Sequence, residues 1–210
     1  MAEDIALKII ILGASTVGKT SIFVRYFKDE FSNTSLTTIG IDFKTKFFKL
    51  GETKIKINYI DTAGQEKFKA IAENYLKGAD GVILVFDLTN RETLKLIDYW
   101  AECFKKNNRD NIGLILFGNK TDLEEDRDIS YEEGKKLGDK LGCKYYEGSA
   151  KTGENIELVM NEIATLSYTE WKKTEENRDS IRISAASAEQ EEHLKQKKKI
   201  VVNLNRISEK

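Results

Sequence analysis

Gly13-Ala14-Ser15-Thr16-Val17-Gly18-Lys19-Thr20 follows the spacing G-x-x-x-x-G-K-[ST]. That spacing is a phosphate-binding loop. Its glycines let the backbone wrap closely around a phosphate with N–H groups turned inward. The apolar run Ile5–Leu12 precedes the loop, and a helical pattern opens near Thr20. The unsatisfied N–H groups and positive dipole end of that helix add to the attraction for an anion. In such a cradle Lys19 reaches the β/γ-phosphates and Thr20 ligates Mg²⁺, with Ser15, Thr16, Val17 and Ser21 lining the same turn.

Three further stretches carry chemistry that suits a neighbouring nucleotide. Asp61-Thr62-Ala63-Gly64-Gln65 follows a strand end. A carboxylate there holds a Mg²⁺ shell, usually through water. Gly64 brings its N–H to the γ-phosphate, and Gln65 orients an attacking water. Alone, Asp-x-x-Gly reads as a plain turn; beside a phosphate loop the balance reverses.

Asn119-Lys120-Thr121-Asp122 ends another apolar run, and Ser149-Ala150-Lys151 follows a third. The Asp122 carboxylate can accept two parallel hydrogen bonds, from guanine N1–H and the exocyclic N2 amine. Adenine offers neither, and a buried carboxylate left unpaired costs ~1–3 kcal/mol or more. Lys120 can lay its alkyl stem over the base, Asn119 can tie this loop to the phosphate loop, and the Ala150 N–H can reach guanine O6. Each triplet alone is common; both, in this order, favour guanine. Thr37-Thr38-Ile39-Gly40 offers a threonine, Thr38, to complete the Mg²⁺ shell, although its local sequence fits a β-branched strand opener equally well.

These residues need a scaffold, and the periodicity supplies one. Ile5–Leu12, Gly81–Asp87 and Ile112–Gly118 are almost wholly apolar, as parallel strands covered on both faces are. Gly40–Leu50 and Lys54–Ile60 alternate on either side of Gly51-Glu52 and read as a hairpin. Lys144–Glu147 is a short sixth strand. Helical patterns cover Thr20–Lys28, a stretch to about Lys77, Arg91–Lys106, Tyr131–Leu141 and Asn155–Lys172. Strands alternating with helices predict an α/β fold: a mostly parallel six-stranded sheet with one antiparallel strand, flanked by five helices. Ligands of such sheets bind at the carboxyl ends of the strands, where every motif above falls.

The bulk properties exclude several classes. A net charge of −1 over 210 residues gives no electrostatic argument for nucleic acid. Cys103 and Cys143 make no disulfide framework and fit a reducing, cytoplasmic setting. The lone His193 lies in a charged stretch and reads as solvated. Neither a secretory leader nor a run of ~20 apolar residues is present in the sequence as given. Proline is absent, and nothing in the chemistry accounts for that.

Together these residues resemble the Ras-like small GTPases, and within them the Rab family. The likeness runs from about Leu7 to Trp171 and includes Ile39-Gly40-Ile41-Asp42-Phe43, Ala63-Gly64-Gln65-Glu66-Lys67-Phe68 and Tyr75-Leu76-Lys77-Gly78-Ala79. It implies a P-loop G domain over 1–172 that binds GTP and GDP with Mg²⁺, hydrolyses GTP slowly with Gln65 and Lys19 as catalytic groups, and recruits effectors in vesicle trafficking. It implies an exchange factor and a GTPase-activating protein as partners, switch segments at 32–41 and 63–78, Phe31 edge-on against the guanine, and an effector-binding trio at Phe43, Ile60 and Tyr75. Three positions depart from the family pattern. Ile60 replaces the usual Trp of the trio, Thr16 stands where Gly or a small residue is usual, and Ser35 where many relatives carry Tyr. A nucleotide-retaining scaffold with negligible turnover is the alternative; an ATP-using kinase is disfavoured by the guanine-reading loops.

From about Lys173 to Lys210 the composition shifts to Glu, Lys, Arg, Ser and Ala, a linker or solvated helical tail. No cysteine follows Cys143, so the sequence as given predicts no prenyl attachment. The basic run Lys195–Lys199 follows Glu189, Glu191 and Glu192 and lacks an apolar face, which disfavours a membrane patch. Lys199–Lys210 aligns with Lys8–Lys19, both windows opening Lys-Ile and two β-branched aliphatics and closing on Lys. That echo predicts the start of a degenerate second G domain, with Leu204 and Glu209 replacing the glycines.

Overall fold

The computed structural model describes residues 5–32, 41–50, 53–62, 69–107 and 112–180. The chain divides into two units, Met1–Trp171 and Lys172–Lys210. In the first unit, strands β1 (Ile5–Gly13), β2 (Ile41–Leu50), β3 (Thr53–Thr62), β4 (Gly81–Asp87), β5 (Gly113–Asn119) and β6 (Lys144–Gly148) form one sheet in the order β2-β3-β1-β4-β5-β6. All neighbours are parallel except β2 and β3. Helices α1 (Lys19–Lys28), α2 (Lys69–Leu76), α3 (Arg91–Asn107) and α4 (Tyr131–Leu141) fill the connections, and α5 begins at residue 156.

The sheet is a central layer with a core on each face. Ile9 and Ile11 of β1, Val85 of β4 and Phe117 of β5 pack with Phe23 of α1 and Met160 and Ile163 of α5. Ile10 and Leu12, pointing the other way, pack with Leu76 of α2 and Ile97 and Trp100 of α3. This two-sided burial is why β1, β4 and β5 read as continuous apolar runs and not as alternating ones.

Register brings the motifs to one edge. Ile11 stands beside Asp61, Gly13 beside Val85, Asp87 beside Asn119, and Asn119 beside Gly148. The carboxyl ends of five parallel strands therefore finish on one line, with the phosphate loop and the base-reading loops leaving from it.

The helical stretch of α5 passes the expected end at Lys172: residues 172–180, in the second unit, are helical too. Their composition cannot bury a core, but Lys172 pairs with Glu176 and Glu175 with Arg178 at helical spacing, which supports a solvated helix. The expectations for Lys195–Lys199 and Lys199–Lys210 lie outside the described residues, as does the Gly51-Glu52 turn. No described helix is long and apolar enough to cross a membrane.

Candidate functional site

The phosphate loop is shaped by close approach. A Cβ at Gly13 would lie 2.1 Å from the Val85 carbonyl oxygen, and one at Gly18 2.3 Å from Asn119 Nδ2. Gly18 also caps α1 with φ +93°, supplies no side-chain oxygen, and leaves the first turn without an acidic residue. The N–H groups there have no side-chain cap to compete with an anion. Thr16 adopts φ +66°, a conformation that a β-branched side chain rarely takes. Its hydroxyl donates to the Ser15 carbonyl at 2.6 Å, which offsets part of that strain.

Lys19 is 5% exposed and lies across the loop, its ammonium donating to the carbonyls of Gly13 at 3.0 Å and Ala14 at 2.6 Å. Burial lowers its pKa to about 8, against the opposing field of Asp61. Thr20 Oγ1 donates to Asp61 Oδ2 at 2.6 Å. Asp61 is fully buried, and its other oxygen, Oδ1, has no hydrogen-bond partner among the described residues. Burial pushes the carboxyl up to about 6, with the Thr20 bond and the Lys19 charge pulling it back. An orphaned carboxylate oxygen beside a threonine hydroxyl, at the mouth of a phosphate cradle, suits a hard cation that takes one carboxylate and several phosphate or water oxygens. Mg²⁺ fits these residues.

Asn119 is the junction of the base-reading side. It is 1% exposed; its Nδ2 donates to the Val17 carbonyl at 2.8 Å, and its Oδ1 accepts the Ala150 N–H at 3.1 Å. The first bond ties the two loops as the sequence suggests. The second engages the Ala150 N–H, so a guanine O6 would share that donor. Asp122 is held at both oxygens, by the Ser149 hydroxyl at 2.5 Å and the Lys151 ammonium at 3.4 Å. Ser149 Oγ also accepts the N–H groups of Lys151 and Thr152 at 3.0 and 3.2 Å, which fixes the turn.

Two supporting residues escape sequence reasoning. Arg25 of α1 donates through Nε to the Ala150 carbonyl at 2.9 Å and through Nη2 to the Lys151 carbonyl at 2.6 Å. Asp87 closes β4 and lies 2.5 Å from the Lys120 ammonium. The second had a signal, a carboxylate ending an otherwise apolar strand; the first had none.

The Ras-family model matches residues 8–169. Mouse Ras-related protein Rab-3C is 40% identical over 163 residues, covering 78% of this chain and 72% of that protein. Ras-related protein Rab-3 of Caenorhabditis elegans is 37% identical over the same length, covering 78% and 74%. Ras-related protein Rab-11B of Dictyostelium discoideum is 39% identical over 165 residues, covering 79% and 75%. The chain belongs to the Ras family, as a Rab-like small GTPase. Membership carries the general activity, a GTP-binding switch with GTPase activity of the kind used in vesicle trafficking.

Within this Rab-like chain the expected trio is unequal. Phe43 is 52% exposed and its ring lies 5.6 Å from that of Tyr75, whereas Ile60 is 2% exposed and packs in the core with Leu76. Within the trio the aromatic surface is therefore a Phe43–Tyr75 pair, with Phe43 exposed and Tyr75 half-buried. Phe31 is exposed at the end of the stretch after α1. Thr38, Gly64 and Gln65 lie outside the described residues.

Proposed function

We propose that the chain binds GTP and GDP with Mg²⁺, hydrolyses GTP slowly, and recruits effectors through its two switch segments. The observation that carries this reading is the Thr20–Asp61 pair with its orphaned Oδ1, set at the N-terminus of α1. Bound Mg²⁺ would neutralise charge on the β- and γ-phosphate oxygens, and Thr20, Thr38 and, through water, Asp61 would hold it. The phosphate-loop amides orient the phosphates. Lys19 exchanges its two carbonyl acceptors for phosphate oxygens and offsets the charge that develops there. Gln65 positions the attacking water, Phe31 packs against the guanine edge, and Asp122 reads N1–H and N2. Catalysis by positioning alone is slow, and an exchange factor and an activating protein acting at the switches complete the cycle.

A second reading, a scaffold that keeps nucleotide with negligible turnover, is favoured by one observation: the left-handed, β-branched Thr16 in the phosphate loop. One experiment tests both. Bound nucleotide is identified by mass, and single-turnover GTP hydrolysis is followed with and without a GTPase-activating protein. Measurable turnover that the activator accelerates supports the switch. Retained GTP with no turnover under either condition supports the scaffold, and no bound guanine nucleotide overturns both.

A further inference from the structure

The sheet face that carries Phe43 continues beyond the cover of α2. On this face Phe43, Thr45, Phe47 and Lys49 of β2 stand opposite Ile60, Asn58, Lys56 and Lys54 of β3. Near the phosphate-side end α2 meets the face: Leu76 is buried in one core cluster with Ile60, and the Tyr75 ring meets Phe43. Toward the hairpin end no described residue covers it. Phe47 is 58% exposed, more than any other large apolar side chain described. Lys49, Lys54 and Lys56 are exposed around it, and the Lys54 ammonium sits 4.7 Å from the centre of the Phe47 ring. Ala6 of β1, beside Lys56, is exposed as well and adds no bulk.

Among the described residues the charges on this patch are unbalanced. Lys49, Lys54 and Lys56 have no carboxylate partner among the described residues, and no described acidic residue shares their part of the face. Elsewhere on the same unit lysines do find carboxylates: Lys95 with Glu92, Lys140 with Asp98, Lys144 with Glu162. The whole chain carries a net −1, so the cluster is a local feature and not the overflow of a basic protein. An exposed aromatic ring with three ammonium groups around it, none paired with a described carboxylate, complements a segment that presents carboxylates on either side of an apolar anchor. Three lysines also fall short of the clusters of about four to eight that mark anionic-lipid sites.

We propose that the hairpin half of the β2–β3 ribbon docks an acidic partner segment, with its apolar anchor against Phe47 and its carboxylates on Lys49, Lys54 and Lys56. The surface lies apart from the switch segments in sequence. Phe47 is outside residues 32–41 and 63–78, and Lys56 is five residues, roughly 16 Å of strand, from Asp61. Docking here is therefore insensitive to the bound nucleotide, unlike docking on the switch segments. It serves to hold a partner in both states of the cycle.

The test uses the full chain loaded with GDP or with a non-hydrolysable GTP analogue. The probe is a fluorescent peptide alternating glutamate with phenylalanine; the comparators are the same peptide with lysine for glutamate, and phosphatidylserine vesicles. The acidic peptide is expected to bind saturably, with dissociation constants within about twofold in the two nucleotide states, and the basic peptide not to bind. Phe47→Ser, and separately Lys54→Gln with Lys56→Gln, weaken binding at least tenfold while leaving bound nucleotide in place. The lysine pair of substitutions keeps the strand's polarity and stands as the readout should Phe47→Ser unfold the ribbon. Unchanged binding in the lysine variant, binding confined to the GTP-loaded form, or binding of vesicles and not of the acidic peptide would each overturn the proposal.

Discussion

The Lys120 ammonium lies 2.5 Å from the Asp87 carboxylate, which itself is almost fully buried. The other Asp87 oxygen accepts the Thr89 N–H at 2.9 Å and the Thr89 hydroxyl at 2.7 Å. The carboxylate is thus fixed from one side and holds the lysine from the other. Lys120 itself takes φ +78°, so its backbone leaves β5 in a turn that only a restrained side chain would keep aimed. If Lys120 lies over the guanine as proposed, Asp87 would act as its positioning residue.

Asp87→Asn keeps the Thr89 bonds and removes the ion pair. Lys120 is about a third exposed, so solvent weakens the loss, and nucleotide release is expected to quicken about tenfold, ~1.4 kcal/mol. Stopped-flow release of a fluorescent GDP measures it. In a Lys120→Met background the same substitution should change the rate less than twofold. An equal effect in both backgrounds would show that Asp87 acts on the fold and not through the lysine.

Asp122→Asn tests the base reading. The amide cannot accept from both N1–H and N2, so guanine affinity should fall by at least a hundredfold. Xanthine, with a carbonyl at the 2-position, presents an acceptor to the new amide N–H and should bind better than guanine. Competition between GTP and XTP for the purified variant reads the exchange; a variant still preferring GTP would remove Asp122 from the specificity role.

Thr16→Gly addresses the strained loop. A β-branched residue at φ +66° costs on the order of 1–3 kcal/mol, part of it returned by the hydroxyl bond to Ser15 and part offset by the greater freedom of glycine in the unfolded chain. The net expectation is about 1 kcal/mol of stabilisation, or ~2–4 °C in melting temperature for a chain of this size. Scanning fluorimetry on the nucleotide-loaded protein checks it, and a lower melting temperature would mean that the hydroxyl bond outweighs the strain.

Much of this site was legible in advance because its motifs are contiguous. The phosphate loop needs eight residues in a row, and the strands beneath it announce themselves by unbroken apolar runs. Arg25 is different: its acceptors are 125 and 126 residues away, and only the fold brings the loop after β6 beside α1. Ile60 shows the same limit from the other side. The resemblance places it in an effector-binding trio, and its burial was not legible there: register sets it beside Ile10, and the side chain packs inward with Leu76. The last helix outran its predicted end because charge pairs at helical spacing, and not apolar periodicity, sustain residues 172–180.

Glu133 gives the fold an acid-dependent seam. Arg91, and the Ser130 N–H of the α4 capping box, hold its carboxyl down to about 2 from the ordinary 4.5. A depressed carboxylate contributes stability that is present above the unfolded value and is lost as pH falls from about 4.5 toward 2. Melting temperature should therefore drop more steeply between pH 5 and pH 3 in the native chain than in Glu133→Gln. Parallel slopes would show that the Arg91–Glu133 pair contributes nothing across that window.

Asn119 is the residue whose loss should cost most. Its side chain satisfies the Val17 carbonyl and the Ala150 N–H in a place that water does not reach. Asn119→Ala leaves both unpaired, at ~1–3 kcal/mol each, and opens a void where Gly18 now makes its close approach. The apo protein should lose ~2–5 kcal/mol, and the phosphate loop should part from the base-reading loops. Asn119→Asp separates these effects. The carboxylate still accepts the Ala150 N–H but faces the Val17 carbonyl oxygen with no proton to give. If Val17 is the decisive partner, Asn119→Asp melts as low as Asn119→Ala and neither variant retains nucleotide through gel filtration. If Ala150 is decisive, Asn119→Asp holds its melting temperature while Asn119→Ala does not. Wild-type melting and nucleotide retention in both variants would show that the two loops need no tie at all.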